Sequence, residues 1–210
     1  MNTANPDPKH LTSQAGLLPG DAMPVTLPIS IQQYTELVDH GHFEGEVGQI
    51  ELINGRITRM NPQGPEHADP IDILSEWCIE QAKRQFRIRV EKPIVLPSSS
   101  SVPEPDIAWV RRRSYARQHP GPEDILLLIE ASVTSARFDA SEKCEVYARD
   151  GVPEYWQINV PRREIRVYRD PQGGEYRTLS THTAHESISP ICFSAAVLPI
   201  AMLFEDASPR

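Results

Sequence analysis

The fold is decided by three pieces of one segment, PEPDIAWV (103–110), ILLLIEAS (125–132) and DASEKCEVYARDGVPEYW (139–156). The first two pieces are short aliphatic runs, a pattern typical of buried strands. Asp106 opens the first run, and Glu130 closes the second. A carboxylate beside a buried strand loses hydration, and a cation, a hydrogen-bond donor or a proton must replace it. Two such carboxylates on neighbouring strands therefore indicate a hard divalent cation such as magnesium between them.

The third piece predicts a helix that presents Lys143. Asp139 and Glu142 have the spacing of a capping box at its start, and Gly151 is placed to end it. The helix follows the Glu130 strand after a short loop, so we expect its first turn near the end of that strand. A lysine there would neutralise developing negative charge or orient an attacking water. Two acids and a lysine around a metal are the groups that phosphodiester hydrolysis requires.

The residues alone leave a plainer interpretation open. Acidic residues at strand ends are common, and a lysine on a helix is usually a solvated surface charge. A motif match of this kind is a hypothesis until its structural context is known. Spacing by itself does not decide between a metal site and ordinary surface charges.

A family resemblance adds weight to the metal site. The matching pieces are Pro105-Asp106, Glu130-Ala131-Ser132, Asp139, Lys143, Tyr147, Gly151-Val152-Pro153-Glu154-Tyr155-Trp156 and, upstream, Ile50-Glu51-Leu52-Ile53-Asn54-Gly55. Together they resemble the Uma-type family of putative restriction endonucleases, within the PD-(D/E)XK nuclease superfamily. The resemblance covers residues 29–204, and the Gly-Val-Pro-Glu-Tyr-Trp string is its most specific piece. The chain departs from the superfamily at the Glu-x-Lys position, which holds Ser132, and the resemblance assigns the lysine's role to Lys143.

The resemblance implies a fold and an activity. The fold is α/β and restriction-endonuclease-like, with a mixed curved sheet flanked by helices and extended by an antiparallel meander. The implied activity is that of an endonuclease, dependent on Mg²⁺ or Mn²⁺, that hydrolyses DNA phosphodiester bonds. Asp106, Glu130 and the backbone carbonyl of Ala131 would hold the metal, and Lys143 would assist catalysis. Glu51 would recruit a second metal or position the first.

Further candidates have alternatives that the residues leave open. Glu51 lies in a predicted hairpin, residues 49–60, where it faces either the site or solvent. His67, near the start of a predicted helix at Glu66–Arg84, approaches the metal or a phosphate under the resemblance but is otherwise a capping or surface residue. Glu104 shares the face of Asp106 if the strand begins that early. Ser132 is a lower-ranked candidate as well.

The whole chain of 210 residues predicts one domain, residues 29–204, between a flexible arm at 1–28 and a polar tail at 205–210. No apolar run approaches the length of a membrane span, and the N-terminus lacks the core of a signal peptide. The three cysteines are scattered without metal-ligand spacing, which favours free thiols and a cytoplasmic location.

The net charge of −8 is unusual for a protein that binds DNA. A local cluster, Arg111-Arg112-Arg113 with Arg117, could contact a phosphate backbone, and a solvated loop is the alternative. DNA is therefore the expected partner, and a homodimer is plausible for cutting two strands. Two other functions stay open: a non-catalytic DNA-binding or scaffold protein with a nuclease fold, and a metal-dependent hydrolase of a smaller phosphodiester.

Overall fold

The computed structural model describes residues 27–60, 62–133 and 137–204, without the side chains of residues 137–141. The predicted arm, apart from its last two residues, and the predicted tail lie outside the described residues. None of the helices in the described part of the chain has both the length and the apolar character that crossing a membrane requires.

Three α-helices and ten strands make up the described part of the chain. The helices are α1 (Ile31–Asp39), α2 (Pro65–Ala82) and α3 (Arg137–Arg149). The strands are β1 (Ile50–Ile53), β2 (Arg56–Arg59), β3 (Phe86–Val90), β4 (Ile107–Arg111), β5 (Ile125–Ser132), β6 (Glu154–Asn159), β7 (Glu164–Gln172), β8 (Glu175–Thr183), β9 (Ser187–Ile188) and β10 (Leu198–Pro199). Short 3₁₀ turns connect several of them, and one of these, Ile200–Leu203, closes the core at the C-terminal end.

A six-stranded mixed sheet in the order β3-β4-β5-β6-β7-β8 forms the centre. All neighbours are antiparallel except β5 and β6, which run parallel with α3 as the crossover between them. The strands β6, β7 and β8 form the predicted antiparallel meander. The chain is therefore mixed α/β, as predicted.

The two faces of the sheet have separate cores because successive residues of a strand point to opposite sides. On one face, Leu74 and Trp77 of α2 pack with Trp109 and Trp156. On the other face, Val146 and Tyr147 of α3 pack with residues such as Leu128. Helix α3 therefore covers the face to which Leu128, and by alternation Glu130, belong.

A smaller unit at the N-terminal side brings the β1–β2 hairpin against the sheet. Asn54 and Gly55 form its turn with positive φ values of 50° and 71°, as predicted for this pair. Tyr34 of α1 packs with Leu52, and its hydroxyl donates to the carbonyl of Ile50 at 2.7 Å. Ile53 belongs to the core between α3 and the sheet, so the hairpin contacts both α1 and the sheet, and Glu51 is fully buried.

The ends of the two long helices differ slightly from the predictions. Helix α3 begins at Arg137, so Asp139 lies inside the helix and is not its N-cap, and its side chain is outside those described. Gly151 ends α3 as predicted, with φ +75°. Helix α2 ends at Ala82 because Lys83 adopts a left-handed conformation.

Candidate active site

Asp106 lies directly before β4, and the register of the sheet places it opposite Glu130. Ile107 pairs with Ile129 across the antiparallel strands, so the residues one step outward face each other. Asp106 is 3% exposed, and its Oδ2 accepts a hydrogen bond from the amide of Ala131 at 2.7 Å. The two predicted acids therefore meet at one end of the β4–β5 pair.

Lys143 joins them from α3 together with Glu51 from the hairpin. The Nζ atom of Lys143 donates to Oε1 of Glu130 and to Oε1 of Glu51, both at 3.1 Å. Glu51 is completely buried, so it faces the site and not the solvent. The structure thus brings together all four residues predicted as catalytic, and their roles stay predictions.

Tyr147 is a site residue that the sequence analysis did not single out as functional. Its hydroxyl donates to Oε1 of Glu130 at 2.5 Å, beside the bond from Lys143. Residues four apart on a helix lie on the same face. The spacing of Lys143 and Tyr147 was the available signal, but it has a meaning only once α3 is known to cover Glu130.

His67 lies in the first turn of α2 as predicted and is nearly buried. Its Nε2 is 3.3 Å from Oδ2 of Asp106 and 3.1 Å from the carbonyl oxygen of Ala131. Its Nδ1 is buried and has no hydrogen-bond partner among the described residues. Gln63, which the sequence analysis also missed, donates to Oδ1 of Asp106 at 3.2 Å.

The remaining candidates lie at the margin of this cluster. The backbone amide of Glu104 donates to Oε1 of Glu51 at 2.8 Å. Because β4 begins at Ile107, Glu104 precedes the strand, and the condition for its sharing the face of Asp106 is not met. Ser132 is the half-buried last residue of β5, and its carbonyl accepts from the amide of Val160 at 3.0 Å.

Negative charge exceeds positive charge in this cluster. Burial is the largest cause that raises the pKa of Glu130 to about 7, and the nearby carboxylates of Asp106 and Glu51 add to it against the opposing ammonium. Burial would lower the pKa of Lys143, but the carboxylates of Glu130 and Glu51 outweigh that effect and raise the pKa. Lys143 therefore stays a cation and is not suited to act as a base near neutral pH.

The donor set can be compared with the needs of a metal ion. Within the described residues, no three side chains of His, Cys, Asp or Glu converge where all could hold one ion. Two oxygen atoms do converge, and one of them is a backbone carbonyl. Oδ2 of Asp106 and the carbonyl oxygen of Ala131 lie 3.3 and 3.1 Å from the same atom, Nε2 of His67. Hard oxygen donors and surplus buried negative charge suit a cation of the magnesium class. The residues present fit such an ion in their chemistry.

Comparisons with known proteins show the family and the fold. A family model with the description "Uma2: Putative restriction endonuclease" matches residues 31–201. A similar solved structure is "a putative nuclease belonging to DUF820" from Anabaena variabilis ATCC 29413, with a TM-score of 0.66 and 18% sequence identity. The match covers 84% of this chain and 98% of that chain, and at this identity it shows the fold alone. No curated protein matches the chain.

Proposed function

The chain belongs to the Uma2 family of putative restriction endonucleases, and on that premise we propose that it is a divalent-metal-dependent endonuclease that hydrolyses DNA phosphodiester bonds. One observation supports the proposal above others. The ammonium of Lys143 is held between Glu51 and Glu130 at 3.1 Å from each, at the strand end where Asp106 also lies. A buried lysine shared by two acids beside a third is difficult to explain by stability alone.

The metal would be held by oxygen atoms from two neighbouring strands. Asp106 and Glu130 would provide carboxylates, and Ala131 would provide its backbone carbonyl, with Mg²⁺ or Mn²⁺ as the ion. When bound there, such an ion supplies Lewis acidity toward a phosphate oxygen and lowers the pKa of a coordinated water. His67 Nε2, which now lies against the oxygens of Asp106 and Ala131, would have to give way or turn toward a phosphate.

Lys143 would stabilise the negative charge that develops on the phosphate, or align the attacking water. Its raised pKa keeps it protonated, so it acts through its charge. Glu51 holds the ammonium by one carboxylate oxygen, while its Oε2 is buried without a partner in the described part of the chain. That oxygen would support a second metal ion or orient the first.

Three further groups would hold the acids in place. Tyr147 donates to Glu130, while Gln63 and the amide of Ala131 donate to the two oxygens of Asp106. Hydrogen bonds to the supporting atoms of a site keep its geometry within the narrow limits that catalysis requires. These residues position the acids and are not expected to touch the substrate.

The first test measures thermal stability against Mg²⁺ and Mn²⁺ concentration. Metal at ten times its dissociation constant stabilises the folded state by about 1.4 kcal/mol, so the melting temperature rises. The double variant Asp106→Ala/Glu130→Ala should lose that rise. A matched variant, Glu76→Ala/Glu80→Ala, removes two exposed acids from α2 and should keep it.

The second test measures nicking and linearisation of a supercoiled plasmid in the same metals. Wild-type protein should cut, and Asp106→Ala and Lys143→Ala should not cut although they remain folded. Failure of the wild type to cut in either metal would contradict the proposal and favour the non-catalytic alternative. Hydrolysis of bis(p-nitrophenyl) phosphate without any cutting of DNA would favour a hydrolase of smaller phosphodiesters.

A further inference from the structure

A group of arginines surrounds one tyrosine at the free edge of the central sheet. Strand β3 is the outermost strand, and its alternate residues Arg87 and Arg89 lie on one face of it. Tyr115 and Arg113 come from the connection between β4 and β5. The guanidinium carbons of Arg87, Arg89 and Arg113 lie 5.9, 5.6 and 5.2 Å from the centre of the Tyr115 ring.

The positive charge of this group is only partly balanced. Arg113 pairs with the buried carboxylate of Asp124, and Glu123 lies 3.7 Å away. In the part of the chain that the structure describes, Arg87 and Arg89 form no ion pair with a carboxylate, and Nε of Arg89 is buried without a hydrogen-bond partner. Burial, and then the charge of Arg87, lower the pKa of Arg89. An anion bound at the two guanidinium groups would relieve the repulsion between them.

The arginines lie in line with the candidate active site. Arg89 pairs with Ala108 and Arg87 with Val110, so they stand two and four residues along β4 from Asp106. These steps correspond to about 7 and 13 Å along the strand. One strand of a duplex has a phosphate about every 3.4 Å along the axis. The backbone positions of the two arginines therefore lie at distances that correspond to about two to four phosphates from a bond at Asp106.

We propose that Arg87 and Arg89, with Arg113 and the Tyr115 ring behind them, bind the phosphate backbone of the nucleic-acid strand that enters the candidate active site. The inference rests on the proposed function, because it assumes that the strand passes Asp106. A chain of net charge −8 repels polyanions over most of its surface, so a local cationic surface has to supply the attraction. The Tyr115 ring supports the guanidiniums through cation–π contacts.

A purely structural role makes a different prediction. Charged residues on an edge strand also prevent pairing with another sheet. In that role, a neutral polar residue would leave nucleic-acid binding unchanged. The opposite edge of the same sheet offers a matched control, because Arg177 on β8 is exposed and lies 3.8 Å from Glu175.

The test is fluorescence anisotropy of a labelled DNA duplex of about 20 base pairs. Single-stranded DNA and an RNA duplex of the same sequence are measured in the same way. Each is titrated at several salt concentrations, in EDTA and in Ca²⁺. Arg87→Gln or Arg89→Gln should weaken binding about tenfold, since each removes a charge-assisted contact. Each should also lower the slope of log K against log salt by about one. Arg177→Gln should leave the affinity, the slope and the cutting rate as in the wild type.

The outcomes separate this inference from the proposed function. Binding of Arg87→Gln and Arg89→Gln equal to that of Arg177→Gln overturns the surface, even if the wild type cuts DNA. Failure of the wild type to bind any of the three nucleic acids overturns it too. Arginine-dependent binding by a protein that never cuts supports the surface and contradicts the endonuclease. Arginine-dependent preference for RNA supports the surface and changes the substrate from DNA.

Discussion

Glu51 and Glu154 are both completely buried carboxylates, yet their surroundings differ. Both oxygens of Glu154 are bonded: Oε1 accepts from Trp156 Nε1 at 2.8 Å and from Nε of Arg169 at 2.9 Å, and Oε2 accepts from the amide of Ile191 at 2.7 Å. Glu51 shares Lys143 with Glu130, and one of its oxygens has no partner in the described part of the chain.

The difference distinguishes a buried charge that serves stability from one available for chemistry. A buried carboxylate is tolerated when both of its oxygens are hydrogen-bonded and a cation balances its charge. Glu154 meets both conditions through Arg169. The Glu51 cluster does not meet them, because Oε2 of Glu51 has no partner among the described residues, and Glu51 and Glu130 share one lysine beside a third acid, Asp106. Unmet bonding capacity of this kind is typical of functional sites.

The same comparison explains the most family-specific string of the chain. The Gly-Val-Pro-Glu-Tyr-Trp residues at 151–156 lead into β6 and form its start, and Val152, Tyr155 and Trp156 are all buried. Glu154 bonds the indole of Trp156 and reaches across to Arg169 on β7. The string therefore describes how β6 packs and not a catalytic group.

The largest expected effect concerns the cluster around Glu51, where bonding capacity is unused. Asp106→Asn should lower DNA cleavage about a thousandfold, because it removes a charge that the proposed metal requires. The free energy of unfolding should change by less than about 1 kcal/mol, because the amide oxygen still accepts from Ala131 and one of three repelling charges is gone. Plasmid cleavage and urea denaturation measure the two quantities. Wild-type cleavage by this variant would show that Asp106 is not a ligand.

The second effect concerns Glu154, whose two oxygens are both hydrogen-bonded. Glu154→Gln should lower the free energy of unfolding by about 2–3 kcal/mol, because it removes the partner of Arg169, which is itself only 34% exposed. Cleavage well below the melting temperature should stay at the wild-type rate. Glu175→Gln, at a side chain 75% exposed, is the control and should change stability by less than about 0.5 kcal/mol. Loss of cleavage in folded Glu154→Gln would contradict the structural role.

A third variant sharpens the comparison at the bonds that support Glu130. Tyr147→Phe removes one of its donors and should lower the free energy of unfolding by about 1.5 kcal/mol. If Tyr147 positions a metal ligand, the Mg²⁺ concentration for half-maximal cleavage should also rise. Tyr168→Phe, whose hydroxyl bonds neutral Gln157, is the control and should leave that concentration unchanged. The same Mg²⁺ concentration for half-maximal cleavage in both variants would show that Tyr147 contributes to packing and does not position a metal ligand.

The smallest effect concerns the attachment of the hairpin that positions Glu51. Glu142 on α3 accepts from Asn54 at 2.9 Å and pairs with Arg56, whose side chain is 55% exposed. Exposed ion pairs contribute little, so Glu142→Gln should lower the free energy of unfolding by less than about 1 kcal/mol. Cleavage should fall about threefold at most, which is about 0.7 kcal/mol of barrier. A loss as large as that of Asp106→Asn would mean that the hairpin depends on this contact.

Local patterns were sufficient for the elements but not for their mutual arrangement. The alternation of β1, the Asn54-Gly55 turn and Gly151 after α3 each indicate a structure within a few residues, because backbone preferences are local. The start of α3 was placed at Asp139 and not at Arg137, because a capping-box spacing occurs inside helices as well. Tyr147 was missed because nothing local shows which face of α3 covers Glu130.

The sequence by itself determined the strand that follows Asp106, the strand that contains Glu130, the helix with Lys143 and, through family resemblance, the type of fold. Only the tertiary structure decided that Lys143 meets Glu51, which is 92 residues away, and that one oxygen of Glu51 stays unbonded. It also decided that Glu154 is balanced by Arg169 across β6 and β7. The physical reason is that strand and helix formation depend on neighbours in the chain, whereas charge balance depends on register and on the parallel β5–α3–β6 crossover, which join distant segments.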